Sequence, residues 1–317
     1  MKRIFTLIAV LGIVVSAMAQ RPLVTLSHNG ELSFFTSLSA FTEAIDSAQN
    51  GDIIYLSEGN FAVTDGELTL KKRLSIVGCG YKSHILADIF ISVSEKYMMD
   101  APLFDGVRLH ELDFSSSNKD NLGNVEIRKS RIQNLAHPYY AGNNIMVDRC
   151  YIENVSSQSS GNNIIYTNSK IGNLDNAYFC AIINCNVGSA SCTPLTVTGS
   201  IIGNIINPGQ YNNSNVFNTC MPRSSTAGIN GHLYDKCYFV EESEGSTTNI
   251  LDENLECTLD LVSLGYLDEN GTQVGVYGGD FPFSETPSVP TVDSAKSSVV
   301  YDSEANQLKV TISVAPN

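Results

Sequence analysis

Between Val125 and Ile205 the chain repeats one order of apolar and polar positions while changing most of the residues that fill it. Eleven-residue windows read VEIRKSRIQNL from Val125, IMVDRCYIENV from Ile145, IIYTNSKIGNL from Ile164, CAIINCNVGSA from Cys180 and LTVTGSIIGNI from Leu195. Two less regular copies follow, NVFNTCMPRSS from Asn215 and HLYDKCYFVEE from His232. The third position is β-branched or aromatic throughout (Ile127, Val147, Tyr166, Ile182, Val197, Phe217, Tyr234), and the sixth is small (Ser130, Cys150, Ser169, Cys185, Ser200, Cys220, Cys237). The eighth is Ile or Val until Pro222, and the tenth is Asn134, Asn154, Asn173, Ser189 and Asn204. Alternation puts positions one and three on one face of a strand, and six and eight on one face of the next. The parity breaks between three and six, which predicts a corner. Asn168, Asn184 and Gly199 fall there, residue types that tolerate a left-handed backbone. The tenth position then opens a further turn, where an Asn can bond the backbone and its stacked neighbours. Copies recur every 15 to 20 residues, too short for a helical-hairpin repeat of about 34. The pattern predicts an all-β solenoid, in which stacking buries a core that one coil cannot bury alone.

The residues ahead of the repeat give the solenoid an opening. Leu38, Phe41, Ile45 and Ala48 are spaced three and four apart, one apolar stripe of a short helix. A strand, IIYL, follows Gly51-Asp52, and LTLKKRLSIVGCG ends in a turn at Gly78 and Gly80. Such a helix would cover the end of the solenoid, where unpaired strand edges are otherwise exposed. In these motifs, from Leu32 to Gly279, the chain resembles the right-handed parallel β-helix proteins of the pectin lyase-like superfamily, and VGVYGGDFPFSETPSVPTV from Val274 looks like the tail of many uncharacterised secreted bacterial β-helix proteins. The resemblance implies an all-β, right-handed parallel β-helix with an N-terminal capping helix and a short C-terminal strand segment. It identifies a fold rather than an activity.

Both termini read differently. MKRIFTLIAVLGIVVSAMAQ has a basic start at Lys2 and Arg3, an apolar run from Ile4 to Val15, and small residues at Ala17 and Ala19. It predicts a signal peptide over 1–19, cleavage before Gln20, and export to the periplasm, cell surface or medium. The β-helix is expected over 20–280. A Pro-rich linker and a terminal strand, with Leu308, Val310, Ile312 and Val314 inward, are expected over 281–317.

Composition narrows the function. The net charge is −14 and Lys and Arg form no cluster, so a nucleic-acid partner is not expected. No later stretch is apolar and long enough to span a membrane. The eight cysteines lack zinc-site spacing. Cys150, Cys185, Cys220 and Cys237 are expected packed inward; Cys220 and Cys237, in successive coils, come close enough to pair but are expected reduced. No cofactor is expected; Asp252-Glu253 and Asp268-Glu269-Asn270-Gly271 read as turns, with calcium as an alternative occupant.

Many members of the superfamily act on acidic polysaccharides, and that resemblance directs attention to Asp148 and Arg149 in IMVDRCYI as catalytic candidates. Both stand at the corner, where charges are usually solvated. Arg128, Lys129, Arg131, Arg149 and Lys170 form a basic patch on adjoining coils, expected to be a solvated face. The intervals between copies emerge along one side of a solenoid. They carry Tyr139, Tyr140, Tyr178 and Tyr211, with Asn143 and Gln210 among them: aromatic faces and amides that suit sugar rings, or that pack the intervals onto the coil. Three functions follow: a non-catalytic glycan-binding surface protein, a diverged polysaccharide lyase or glycoside hydrolase, and a structural or adhesive module without a small ligand.

Overall fold

The computed structural model describes residues 22–92, 101–114, 124–136, 144–156, 163–177, 180–192, 195–206, 216–218, 221–222, 233–235, 251–268, 270–286, 291–292, 298–302, 307–311 and 314–315. It is a parallel β-solenoid. β1 (Val24–His28) and β2 (Glu31–Phe35) form an antiparallel hairpin, and helix α1 (Ala40–Ser47) follows. The chain then winds in two-strand coils: β3 (Ile53–Leu56) with β4 (Gly59–Leu70), β5 (Ser75–Val77) with β6 (Ser83–Ile91), and β7 (Phe104–Asp105) with β8 (Arg108–Asp113). Five regular coils continue: β9 (Asn124–Arg128) with β10 (Arg131–Ala136), β11 (Asn144–Asp148) with β12 (Tyr151–Ser156), β13 (Asn163–Thr167) with β14 (Lys170–Ala177), β15 (Cys180–Ile183) with β16 (Asn186–Cys192), and β17 (Leu195–Thr198) with β18 (Ile201–Ile206). Short strands β19 (Val216–Asn218), β20 (Met221–Pro222) and β21 (Leu233–Asp235) extend the stack. The first strand of each coil joins one sheet, called A, and the second joins the other, called B.

The registers match the repeat column for column. Ile127, Val147, Tyr166, Ile182 and Val197 stand in one row of sheet A, and Ile132, Ile152, Ile171, Val187 and Ile202 in one row of sheet B. All ten are fully buried, and burial of each such side chain contributes about 1.5–3 kcal/mol. The corner residue is left-handed in each of the five regular coils: φ is 43° at Lys129, 53° at Arg149, 46° at Asn168, 51° at Asn184 and 57° at Gly199. That conformation costs most residues about 1–2 kcal/mol, which accounts for Asn or Gly at three of the five corners.

The sixth column does more than leave room. Ser169 Oγ accepts a hydrogen bond from the Cys150 amide at 3.0 Å and donates to the Thr167 carbonyl at 2.8 Å. Ser200 Oγ does the same for the Cys185 amide at 2.9 Å and the Thr198 carbonyl at 2.9 Å. These hydroxyls satisfy buried backbone groups at the corner, which secondary structure cannot pair. The tenth column corrects an expectation. Its residues lie within the sheet B strands and open no turn; Asn154 donates to Asn134 at 3.2 Å and Asn173 to Asn154 at 2.9 Å. The irregularity sits one residue earlier, where the registered pairs skip position nine. There Gly172, Gly188 and Gly203 stack, and a Cβ on Gly188 would lie 2.6 Å from the Gly172 carbonyl oxygen.

Helix α1 packs Phe41 and Ile45 into the end of the core, with Phe41 and Phe61 rings 6.3 Å apart. Leu38 is not part of that stripe. The helix begins at Ala40, so Leu38 precedes it and is 88% exposed, and Ala40 and Ala44 complete the buried face. The β1–β2 hairpin was not expected; β1 pairs antiparallel with β3 and so covers the first coil's edge.

Residues 251–286 hold no strand longer than an isolated bridge, and instead form a strap across sheet B's outer face and the adjoining corner. Asn168 Nδ2 donates to the Gly278 carbonyl at 2.8 Å, Asn186 Nδ2 donates to the Leu255 carbonyl at 2.7 Å, and the Gly275 amide donates to the Gly199 carbonyl at 2.7 Å. Ile201 packs with Leu251, Leu255, Leu261 and Val274 in a second small core. The glycine stack at position nine lets the strap approach, since Leu255 reaches to 3.2 Å of the Cβ position on Gly188. Further on, the single terminal strand expected from sequence is two antiparallel pairs: β22 (Thr291–Val292) with β25 (Val314–Ala315), and β23 (Ser298–Asp302) with β24 (Gln307–Thr311).

Cys150 and Cys185 are free and buried as expected, while Cys220 and Cys237 lie outside the described residues. Burial pushes the Cys150 thiol up and the Cys185 thiol up to about 12. Only the thiolate reacts, so both remain protonated at pH 8. Alkylation of the native protein by iodoacetamide is expected to spare Cys150 and Cys185 and to modify them after denaturation. Mass spectrometry showing both labelled at once in the native state would contradict this burial.

Candidate functional site

A cluster of titratable side chains stands on sheet B, ahead of the regular repeat. In β8, Leu109 and Leu112 are buried, so His110 and Glu111 between them both face outward. This is the same parity break that later coils show at positions nine and ten. In β6 the pairing shifts: Ile85 stands opposite Leu109 but Asp88 opposite Glu111, so Leu86 and Ala87 together face the single residue His110. A second irregularity, between Ala62 and Glu67 of β4, pushes out a loop that reaches Gly66. Bulges of this kind bend a strand and re-aim its side chains.

The result is a cleft of about 340 Å³ whose lining includes His84, Asp88, Arg108, His110, Arg131 and Glu153. His84, Arg108, Arg131 and Tyr151 form one row across four coils. His110 Nδ1 lies 2.6 Å from Asp88 Oδ1. A nitrogen of His110 and carboxylate oxygens of Asp88 and Glu111 all lie within 4.8 Å of one another. Burial, with Arg108 and His110 nearby, lowers the His84 pKa and keeps its ring neutral at pH 7. Burial, then the charges of Asp88 and Asp113, raise the Glu111 carboxyl. At the far wall Arg131 pairs with Glu153 at 3.2 Å and lies 4.6 Å from the centre of the Tyr151 ring.

The residues expected from sequence fall elsewhere. Tyr139, Tyr140, Asn143, Tyr178, Gln210 and Tyr211 lie outside the described residues. Asp148 and Arg149 do stand at the corner, but Asp148 is not solvated. Its Oδ2 accepts from Arg149 Nε at 2.7 Å and its Oδ1 from Thr167 Oγ1 at 2.9 Å, and it is buried. Of the basic patch only Lys170 is buried, while Arg128 and Arg131 keep 36% and 37% side-chain exposure. Arg128 pairs with Glu126, Arg131 with Glu153, Arg149 with Asp148, and Lys170 with Glu256. Lys170 is only 5% exposed, because the strap covers it, and its ammonium also lies 4.9 Å from the Phe283 ring centre. The turn readings held. Asp252 Oδ1 accepts from the Asn254 and Glu256 amides, and Asp268 Oδ1 from the Asn270 and Thr272 amides.

The cleft had a signal in the sequence. Phe104 pairs with Ile127, and Leu109 with Ile132, so PLFDGVRLHEL from Pro102 is one more copy of the frame. Its sixth position is Val107 rather than Ser or Cys, which hides it. Aligned this way, Glu111 takes the place of the asparagines and His110 that of Gln133. No family model, curated protein or solved structure matches the chain. Among the described residues, no helix is long and apolar enough to cross a membrane.

Proposed function

We propose that the protein is an exported β-helix that binds a polysaccharide across the outer face of sheet B, in the cleft between β4 and β12. The observation that carries this reading is the cleft itself: imidazole, guanidinium and carboxylate groups from four successive coils converge on one open face. A parallel sheet spaces its strands about 4.8 Å apart, so successive coils offer repeated polar contacts to an extended chain of sugars. Weak contacts in a row add up by avidity. The likeness of the opening segment to pectin lyase-like proteins supports a sugar ligand, and the leader-like start supports export.

The test is a glycan array on the mature chain, followed by titration of each hit with variants. Arg108→Ala is expected to weaken binding by about tenfold, as removal of one charge-assisted hydrogen bond does. Tyr139→Ala/Tyr140→Ala tests the interval tyrosines in the same assay. An array with no hit, or hits that Arg108→Ala binds as well as wild type, would overturn the cleft as the site.

A second reading, a diverged polysaccharide lyase or glycoside hydrolase, is favoured by one observation. Asp88 and Glu111 sit within 4.8 Å beside His110, and two neighbouring carboxyls, of which burial raises Glu111, are the groups an acid–base pair needs. Reducing-end and unsaturated-product assays on array hits decide it. Turnover lost in Glu111→Gln would promote catalysis over binding alone.

A further inference from the structure

We propose that Asp88, His110 and Glu111 bind a first-row divalent metal ion of the Zn²⁺ class on the outer face of sheet B. Glu111 occupies the tenth column of the frame. In the regular coils this column holds Asn134, Asn154, Asn173 and Ser189, neutral groups that hydrogen-bond to one another from coil to coil. Upstream the same row reads Glu67, Asp88, Glu111: each stands directly opposite the next across neighbouring strands. Ionised carboxylates accept hydrogen bonds but cannot donate them. Three in a row therefore cannot form the ladder that the asparagines form. Like charges placed directly opposite destabilise a sheet.

Only His110, itself paired with Asp88 at 2.6 Å, partly offsets that repulsion. Among the described residues its carboxylate has no hydrogen-bond or ion-pair partner. The two arginines of the cleft do not serve it: Arg131 is paired with Glu153, and Arg108 stands in the other row, opposite His84. A cation would relieve the repulsion, and the donor set indicates which kind. An imidazole nitrogen with two carboxylate oxygens suits Zn²⁺ and its neighbours, whereas calcium takes oxygen ligands alone. The geometry suits capture of an ion: all three donors lie within 4.8 Å of one another, on two adjacent strands of a rigid sheet. His110 is about half exposed, at 51%, and Asp88 is 32% exposed, so an ion has a path in and room for water or substrate in its open positions. The bulge at Leu86 and Ala87 is what turns Asp88 toward His110, so a local departure from the regular coil assembles the donors.

The experiment is calorimetric titration of the full mature chain, freed of metal and affinity tag, with Zn²⁺, Mn²⁺ and Ca²⁺ in separate arms. One Zn²⁺ is expected to bind per chain, more tightly than Ca²⁺. His110→Ala and Glu111→Gln are each expected to weaken Zn²⁺ binding by more than about tenfold while the melting temperature without metal stays within a few degrees of wild type. Co²⁺ in place of Zn²⁺ gives visible bands that depend on its ligands and coordination geometry, and His110→Ala is expected to shift them. Failure to bind Zn²⁺ at millimolar concentration would overturn the proposal. So would Zn²⁺ binding unchanged in both variants, or a site that prefers Ca²⁺ and ignores His110→Ala. These outcomes are read without any glycan, so they stand apart from the test of the polysaccharide cleft.

Discussion

Tyr166→Ala is expected to lower stability by about 3–5 kcal/mol, the range for removing a large buried aromatic side chain. Tyr166 heads the largest fully buried side chains and stands in the middle of the five regular coils, between Val147 and Ile182 in its row. Its neighbours cannot collapse into the space, because each is held in its own row by strands on both sides. The adjacent residue provides the control. Ile165 points outward and is 40% exposed, so Ile165→Ala is expected to change stability by no more than about 0.5 kcal/mol. Urea denaturation of the two variants measures the contrast. Because each coil touches only its neighbours, hydrogen exchange in Tyr166→Ala should rise first in β11 to β16 and only later in β3 to β6. Equal costs for Tyr166→Ala and Ile165→Ala would mean that the core is not packed as described.

The second large effect concerns the strap. Asn186→Ala is expected to cost about 2–6 kcal/mol, since it leaves two buried backbone groups unpaired at about 1–3 kcal/mol each. Asn186 is 1% exposed. Its Nδ2 donates to the Leu255 carbonyl at 2.7 Å and its Oδ1 accepts from the Val276 amide at 3.1 Å. No other described side chain serves both segments of the strap in this way. The expected signature is local: proteolysis within 251–286 speeds up, while the coils from β3 to β12 keep their exchange protection. A strap as resistant in Asn186→Ala as in wild type would show that its apolar contacts, led by Ile201, hold it without the amide.

The coils were legible in the sequence because the signal that sets them is local and repeated. Side-chain parity fixes which residues face inward, and one slipped residue would reverse every face, so the rows could be read from the windows at Val125 to Leu195. The left-handed corner was legible at Asn168, Asn184 and Gly199, whose residue types announce it. It was hidden at Lys129 and Arg149, where the fold imposes a conformation that the residues do not favour. The strap has no period to read. It is held by amides reaching from Asn168 and Asn186 to backbone more than sixty residues away, and such pairings leave no pattern in either segment. The cleft was missed for a third reason. Its donors come from irregular coils, where bulges disturb the spacing and Val107 replaces the small residue that marks the others. Corner charge was also misjudged: Asp148 and Lys170 are typical surface residues by composition, and only their partners Arg149, Thr167 and Glu256 explain their burial.

The strap also sets a measure on the molecule. Its anchors fall on three consecutive coils, at Asn168, at Asn186 and at Gly199. One coil inserted among them would displace the later anchors by about 4.8 Å, far beyond the few tenths of an ångström that a hydrogen bond tolerates. Among the described residues the coils ahead of β13 give the strap no hydrogen bond, although Tyr151 packs against its small core and Arg149 lies 6.0 Å from the Phe281 ring centre, so duplication or loss of a coil ahead of β11 leaves every anchor in place. Descendants of this chain should therefore differ in length on the cleft side of the solenoid and keep a constant number of coils beneath the strap.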